Sequence, residues 1–162
     1  MVFLFLIIVF LVIVDQLTKY FIVGFFAFEG ETFPIIQDFF HLTYTRNAGA
    51  VFGIGGNTGY ALYFFIGVFM VAIAIFGVMF VKNDFRDRRR IIYTISLILL
   101  IAGSIGNTID RIFQPDHKVV DFLDFRGIWS YIFNFADICL TVGITLFFID
   151  QFLIEPKRVK AA

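Results

Sequence analysis

Cysteine is almost missing from this sequence: Cys139 is the only one in 162 residues, so no internal disulfide can form. Its apolar surroundings mark it as a packing residue and not as a nucleophile. Histidine is nearly as scarce. His41 and His117 lie in different connecting segments, neither in a His-Glu-x-x-His helix nor beside a second ligand at metal-binding spacing. Both read as ordinary interfacial residues, and no metal and no cofactor are expected. Charge is sparse too, at 16% of residues and with 13 basic against 13 acidic side chains, which gives no reason to expect a nucleic-acid partner. Long linkers, repeats and low-complexity tracts are lacking, so residues 1–162 read as one domain. No Lys or Arg precedes the first apolar stretch and no small-residue cleavage site follows it, which favours a retained helix over a cleavable signal peptide.

What the chain has in abundance is hydrophobic surface, at 60% of residues. Apolar stretches at 2–22, 59–81, 91–112 and 132–153 each reach the roughly 20 residues that cross about 30 Å of hydrocarbon as helix. The expected fold is an all-α membrane protein, a bundle of four transmembrane helices. The connection at 24–58 is the only long one, and Phe39-Phe40-His41-Leu42-Thr43-Tyr44-Thr45 ahead of the turn-prone Asn47-Ala48-Gly49 suggests strands and a hairpin. Val119-Val120-Asp121-Phe122, after the breaker Pro115, is expected to be extended. A small extramembrane β-sheet on the outer (periplasmic or extracellular) side fits both segments.

Eight of the 13 basic residues fall in two places, Lys82, Arg86, Arg88, Arg89 and Arg90 between the second and third stretches and Lys157, Arg158 and Lys160 in the tail. The positive-inside rule then puts both termini and the arginine turn in the cytoplasm, with the arginines anchoring the topology beside anionic lipid. In that orientation Asp15 and Lys19 come late in an outward helix, Asn107, Asp110 and Arg111 late in another, and Asn134 and Asp137 early in an inward one. All approach the outer leaflet. Asp15/Lys19 are four apart, and Asn107/Asp110 and Asn134/Asp137 are three apart, so each pair shares a helix face and three polar faces can converge on one cavity.

A carboxylate facing hydrocarbon costs at least about 2.5 kcal/mol, so Asp121 and Asp137 beside the last apolar stretch are functional candidates by default. Two neighbouring carboxylates share one proton, because like charges a few ångströms apart resist joint ionisation. One can then take a proton from water while the other donates to a carbonyl oxygen, which is the chemistry of peptide hydrolysis. Other readings stay open. Asp15/Lys19 can be a simple intrahelical ion pair, Asn107, Asp110 and Arg111 can be structural, and a Ser104/Lys19 pair has no local support. A small ion- or proton-coupled carrier would also bury carboxylates, although with polar groups spread through the membrane depth.

Five blocks together, Asp15-Gln-Leu-Thr-Lys19, Arg46-Asn47-Ala-Gly49-Ala-Val-Phe-Gly53, Gly103-Ser-Ile-Gly-Asn107-Thr-Ile-Asp110-Arg111, Val119-Val-Asp121-Phe and Phe133-Asn134-Phe-Ala136-Asp137, closely resemble the lipoprotein signal peptidases, or signal peptidase II. The resemblance implies a bacterial cytoplasmic-membrane aspartic endopeptidase that cuts prolipoproteins just before a diacylglyceryl-modified cysteine. Prolipoproteins and membrane lipids are the partners it implies, and a monomer is expected. It matches Asp121 and Asp137 to the catalytic dyad, and Asp15, Lys19, Asn47, Gly49, Gly103, Asn107, Asp110, Arg111, Asn134 and Ala136 to positions that line or brace the active site. A catalytically inactive relative is disfavoured by the presence of both carboxylates. Two departures stand out: the stretch from Arg111 to Val119 is about two residues longer than usual and lacks the customary glycine, and Val51 replaces a small alanine.

Overall fold

The structure, a computed structural model, describes residues 1–48 and 59–160; Gly49, Val51 and Gly53 lie outside them. Four long helices dominate: α1 (Val2–Phe25), α2 (Gly59–Val81), α3 (Ile91–Phe113) and α4 (Phe135–Ile149). Strands β1 (Thr32–Ile36) and β2 (Phe40–Asn47) follow α1, and β3 (Val119–Phe125) joins α3 to α4. A turn of π-helix, Asp150–Ile154, and a short α5 (Glu155–Lys160) complete the described chain.

Helix is what such a sequence can adopt in hydrocarbon, because only helices and closed barrels satisfy their own backbone groups there. Three helical spans among the described residues are long and apolar enough to cross a membrane, Val2–Phe25, Arg88–Phe113 and Phe135–Val159; Ile66–Val81 of α2 is a shorter apolar segment. They are buried very unequally. The apolar window of α3 is 67% buried against 17% in the spans of α1 and α4, which makes α3 the central helix. Ile8, Phe80, Leu97, Ile98, Ile101 and Ala102 form the core where α1, α2 and α3 meet. The outward faces of α1 and α2 carry exposed side chains such as Phe3, Phe10, Phe21, Tyr63 and Phe64, an apolar surface far larger than a water-soluble monomer shows.

The helix limits differ from the sequence reading for identifiable reasons. The fourth helix starts at 135 and not at 132, because Asn134 caps it and Phe133 is committed to a bridge with Leu123 of β3. The first runs on to Phe25, since Val23-Gly24-Phe25 offers no stop, and ends where Phe26 turns extended. The regular part of the last apolar stretch ends at 149, where Asp150 opens the π-turn.

The sheet is antiparallel in the order β1-β2-β3. The turn joining β1 to β2 lies at residues 37–39, where Asp38 takes φ 58°; Asn47 ends β2, and the expected turn at Asn47-Ala48-Gly49 runs into Gly49, which lies outside the described residues. Aspartate tolerates the left-handed conformation better than most residues, which is what lets Asp38 turn the chain there. His41 likewise sits in β2 and not in a loop, and it is buried there. A bulge between Leu42 and Thr45 shifts the β2–β3 register, so that Thr45 pairs with Asp121, Arg46 with Val120 and Asn47 with Val119.

The long connection from α3 to β3 turns without a glycine because His117 itself adopts φ 57°, with its ring Nδ1 3.0 Å from the Arg111 carbonyl oxygen. That backbone conformation costs an L residue about 1–2 kcal/mol. We expect His117→Val to lower stability by about 1–3 kcal/mol, because a β-branched side chain is worst suited to this region, and His117→Gly to lower it less. Thermal unfolding of the two variants in the same detergent checks the order; a Val variant as stable as the Gly variant would remove strain at His117 from the account.

Candidate active site

Close approach of α3 and α4 comes first, since it decides which side chains can meet. A Cβ added to Gly103 would lie 2.6 Å from the Ala136 carbonyl oxygen, and one added to Gly106 would lie 2.6 Å from Asp15 Oδ2 and 3.1 Å from the Ala136 Cβ. Small residues at these positions let three helices touch, as they do in membrane bundles generally. Gly103 and Ala136 therefore act as spacers where α3 and α4 meet.

Asn134 is the hub of what this contact brings together. As the N-cap of α4 it accepts from the Asp137 backbone N–H at 3.0 Å, while Asp137 Oδ2 accepts from the Asn134 N–H at 3.2 Å, a reciprocal capping box. Its side-chain Nδ2 donates to Asp121 Oδ1 at 2.6 Å and to Asn107 Oδ1 at 3.1 Å. Asn107 Nδ2 donates in turn to Asp137 Oδ1 at 2.8 Å, and Asn47 Nδ2 donates to Asp121 Oδ2 at 3.1 Å. Both carboxylates thus receive neutral amide donors, and Asn134 alone serves the two, Asp121 through its side chain and Asp137 through its backbone N–H. Burial, reinforced by the charge of Asp137, pushes the Asp121 carboxyl up to about 7, against the opposing pull of the Asn47 and Asn134 amides.

Beneath them lies a fully buried ionic layer. Lys19 Nζ is 2.9 Å from Asp15 Oδ2, 2.9 Å from Asp110 Oδ2 and 3.1 Å from Asn107 Oδ1, which occupies all three ammonium donors. Asp15 Oδ1 accepts from the Ala136 N–H at 2.9 Å, and Asp110 Oδ2 from the Val120 N–H at 3.1 Å. The intrahelical pair considered from sequence is therefore only one edge of a network joining α1, α3, β3 and the start of α4. Arg111 reaches across from α3 toward the β2 end, with Nη1 3.5 Å from the Ala48 carbonyl oxygen. Ser104 does not pair with Lys19; its hydroxyl is buried and the lysine is taken by other groups.

The two aspartates open into a cavity of about 640 Å³, within the range of small-molecule and peptide sites. Asn47, Asn107, Arg111, Asp121 and Asp137 line its polar end. Its remaining walls are mostly apolar: Phe69 of α2, Ile138, Leu140 and Val142 of α4, and the connection from Ile128 to Phe133. Trp129 and Tyr131 stand exposed at that connection, ring centroids 6.3 Å apart.

Three features escaped the sequence reading. Gln16 Nε2 lies 3.1 Å from each of Asp15 Oδ2, Asp110 Oδ1 and the Gly106 carbonyl oxygen, three acceptors sharing its two N–H groups; an amide next to a buried carboxylate in an apolar helix is signal enough. The Trp129/Tyr131 lip lies in a segment without regular periodicity, which hid it. Asp150, fully buried, is bound at 2.7 Å by Arg158, which also reaches the Arg89 carbonyl at 2.7 Å and pairs with Glu155. Buried polar groups are therefore not confined to one end of the bundle, and the tail residue Arg158 is tied to the arginine turn.

A family model described as signal peptidase (SPase) II matches residues 7–153. The chain is 42% identical over 162 residues to the lipoprotein signal peptidase of Fusobacterium nucleatum, covering 98% of this chain and 90% of that one. It is 37% identical over 148 residues to the corresponding protein of Brevibacillus brevis, covering 91% of this chain and 93% of that one. A solved bacterial membrane enzyme, determined by the in meso method at 2.3 Å resolution, superposes with a TM-score of 0.81 at 34% identity over 93% of this chain and 88% of that chain. The carrier reading finds no support in these similarities.

Proposed function

Because the chain belongs to the signal peptidase II family, integral membrane proteases that remove signal peptides from prolipoproteins, we propose that it hydrolyses them as an aspartic endopeptidase with Asp121 and Asp137 as its catalytic dyad. The observation that carries this reading is Asn134, whose side-chain amide holds one carboxylate and whose backbone N–H holds the other at the head of one cavity. The pair holds one proton. Its ionised member takes a proton from water as the water oxygen bonds to the scissile carbonyl carbon, and the protonated member donates to the carbonyl oxygen; the proton taken from water then passes to the peptide nitrogen as the C–N bond breaks, and the pair regains its shared proton from the hydroxyl of the new carboxyl group. Asn47, Asn107 and Asn134 orient the carboxylates. Asp15, Lys19, Gly103, Asp110, Arg111 and Ala136 brace the helices that carry them, with Gly49 in the segment after β2.

The membrane placement is part of the same proposal. Four helices cross, α2 with its 23 residues included, and residues 1–162 make one monomeric domain. The basic turn at Arg88–Arg90 and the basic tail lie in the bacterial cytoplasm, so the sheet and both aspartates lie near the outer leaflet. The scissile bond precedes a diacylglyceryl-modified cysteine whose acyl chains reach the apolar walls from the bilayer, while membrane lipids surround the bundle.

Lipid on the precursor should therefore govern turnover. With purified protein in detergent, a diacylglyceryl-modified prolipoprotein is expected to be cut at least about tenfold faster than the unmodified precursor, since even two buried methylenes are worth that much. A gel shift reads the difference. Equal rates on both precursors would contradict the assignment of the apolar walls to lipid.

A further inference from the structure

The connection from α3 to β3 has its own fastening. It must leave α3 and deliver Val119 opposite Asn47, and beyond the bulge the β2–β3 ladder has only the rungs at Thr45, Arg46 and Asn47. Asp116, in the turn, accepts from Arg46 Nη1 at 2.7 Å and from the Lys118 N–H at 3.3 Å. The same guanidinium reaches Gln114 Oε1 at 3.5 Å and donates through Nε to the Tyr44 hydroxyl, while the Arg46 backbone N–H is held by Glu29 Oε1 at 3.0 Å. Arg46 is thus gripped on β2 and grips the turn that feeds β3. The next residue, Asn47, is the one that donates to Asp121.

We propose that Arg46 and Asp116 are positioning residues for Asp121: their ion pair closes the short end of the β2–β3 ladder beside the Asn47–Asp121 hydrogen bond. The inference rests on the reading of Asp121 as catalytic. Neither residue lines the cavity, so neither is placed to bind substrate. A partly exposed ion pair contributes little to global stability, whereas a displacement of one ångström at a reacting group costs as much as a hundredfold in rate. The pair therefore acts on geometry more than on folding.

Asp116→Ala is the decisive variant, since the Asp116 side chain is 34% exposed and its loss leaves no buried group stranded. It is expected to lower kcat about tenfold at unchanged thermal unfolding, with KM within about twofold. Asp116→Asn keeps an acceptor for Arg46 and should retain kcat to within about threefold. Arg46→Ala/Asp116→Ala should be no slower than the slower single variant. A wild-type kcat in Asp116→Ala, a change confined to KM, or multiplying losses in the double variant overturns the proposal. Asp121→Asn is measured alongside: if it still cleaves, the reading of Asp121 has failed, and if it is dead while Asp116→Ala is normal, only the positioning role has.

Discussion

Asp121→Asn and Asp137→Asn should each insert and fold yet lose cleavage of a lipid-modified precursor by about a thousandfold or more, within the range that acid–base groups acting as a unit supply. Folding survives because an asparagine oxygen can still accept from Asn134 at position 121 and from Asn107 at position 137. The double variant should be about as inactive as either single one, since removing either carboxylate disables the same step. With both present, kcat/KM should follow a bell whose limbs belong to the pair. The sign is fixed by burial: an Asp121 carboxyl raised to about 7 keeps its proton below that pH, so activity is lost as pH rises through about 7 and the shared proton leaves. Losses that multiply in the double variant, or a single Asn variant that keeps both limbs, would falsify the coupled dyad.

Removing Lys19 should have the largest effect on stability. Lys19→Ala strands Asp15 and Asp110, each 1% exposed, without their common cation, and breaking a buried pair from one side costs about 3–5 kcal/mol. Asp15→Ala should cost less, because Lys19 keeps Asp110 and Asn107 while only the Ala136 N–H and the Gln16 amide lose an acceptor. Yield and thermal unfolding in one detergent give the ranking. If Lys19→Ala unfolds at the wild-type temperature, the ionic layer is not what binds α1 to α3.

Much of this was legible in the sequence because hydrocarbon permits so few solutions. Long apolar runs have to be helices, and an ionisable residue inside one has to have a partner, which singled out Asp15, Lys19, Asp110 and Asp137 from spacing alone. What spacing does not contain is the partner's identity. Asp15 and Lys19, four apart, announce each other; nothing local announces that Asp15 also accepts from Ala136, 121 residues away. Turns were read less well than helices. The hairpin at Asp38 and the left-handed His117 use side chains that tolerate an unusual φ, and neither is the glycine that a sequence search looks for. The Asp150–Arg158 pair is not legible in the sequence, because a positive-inside count takes Arg158 as a topology charge and is blind to which cations fold back into the bundle.

Resistance to a cavity-filling inhibitor has little room to arise around Asn134. With Asp121 and Asp137 as the proposed dyad, a molecule that bridges both carboxylates is held by groups the reaction itself would need, and a substitution at Asn47, Asn107 or Asn134 that repels the inhibitor also releases Asp121 or Asp137. Escape is left to the apolar wall, at positions such as Phe69, Ile138 and Val142. One buried methylene there is worth about 0.8 kcal/mol, roughly fourfold in affinity, so each mutational step gains little. If the same wall takes the substrate's acyl chains, as proposed above, a bacterium that trims it weakens its own lipoprotein maturation as it weakens the drug.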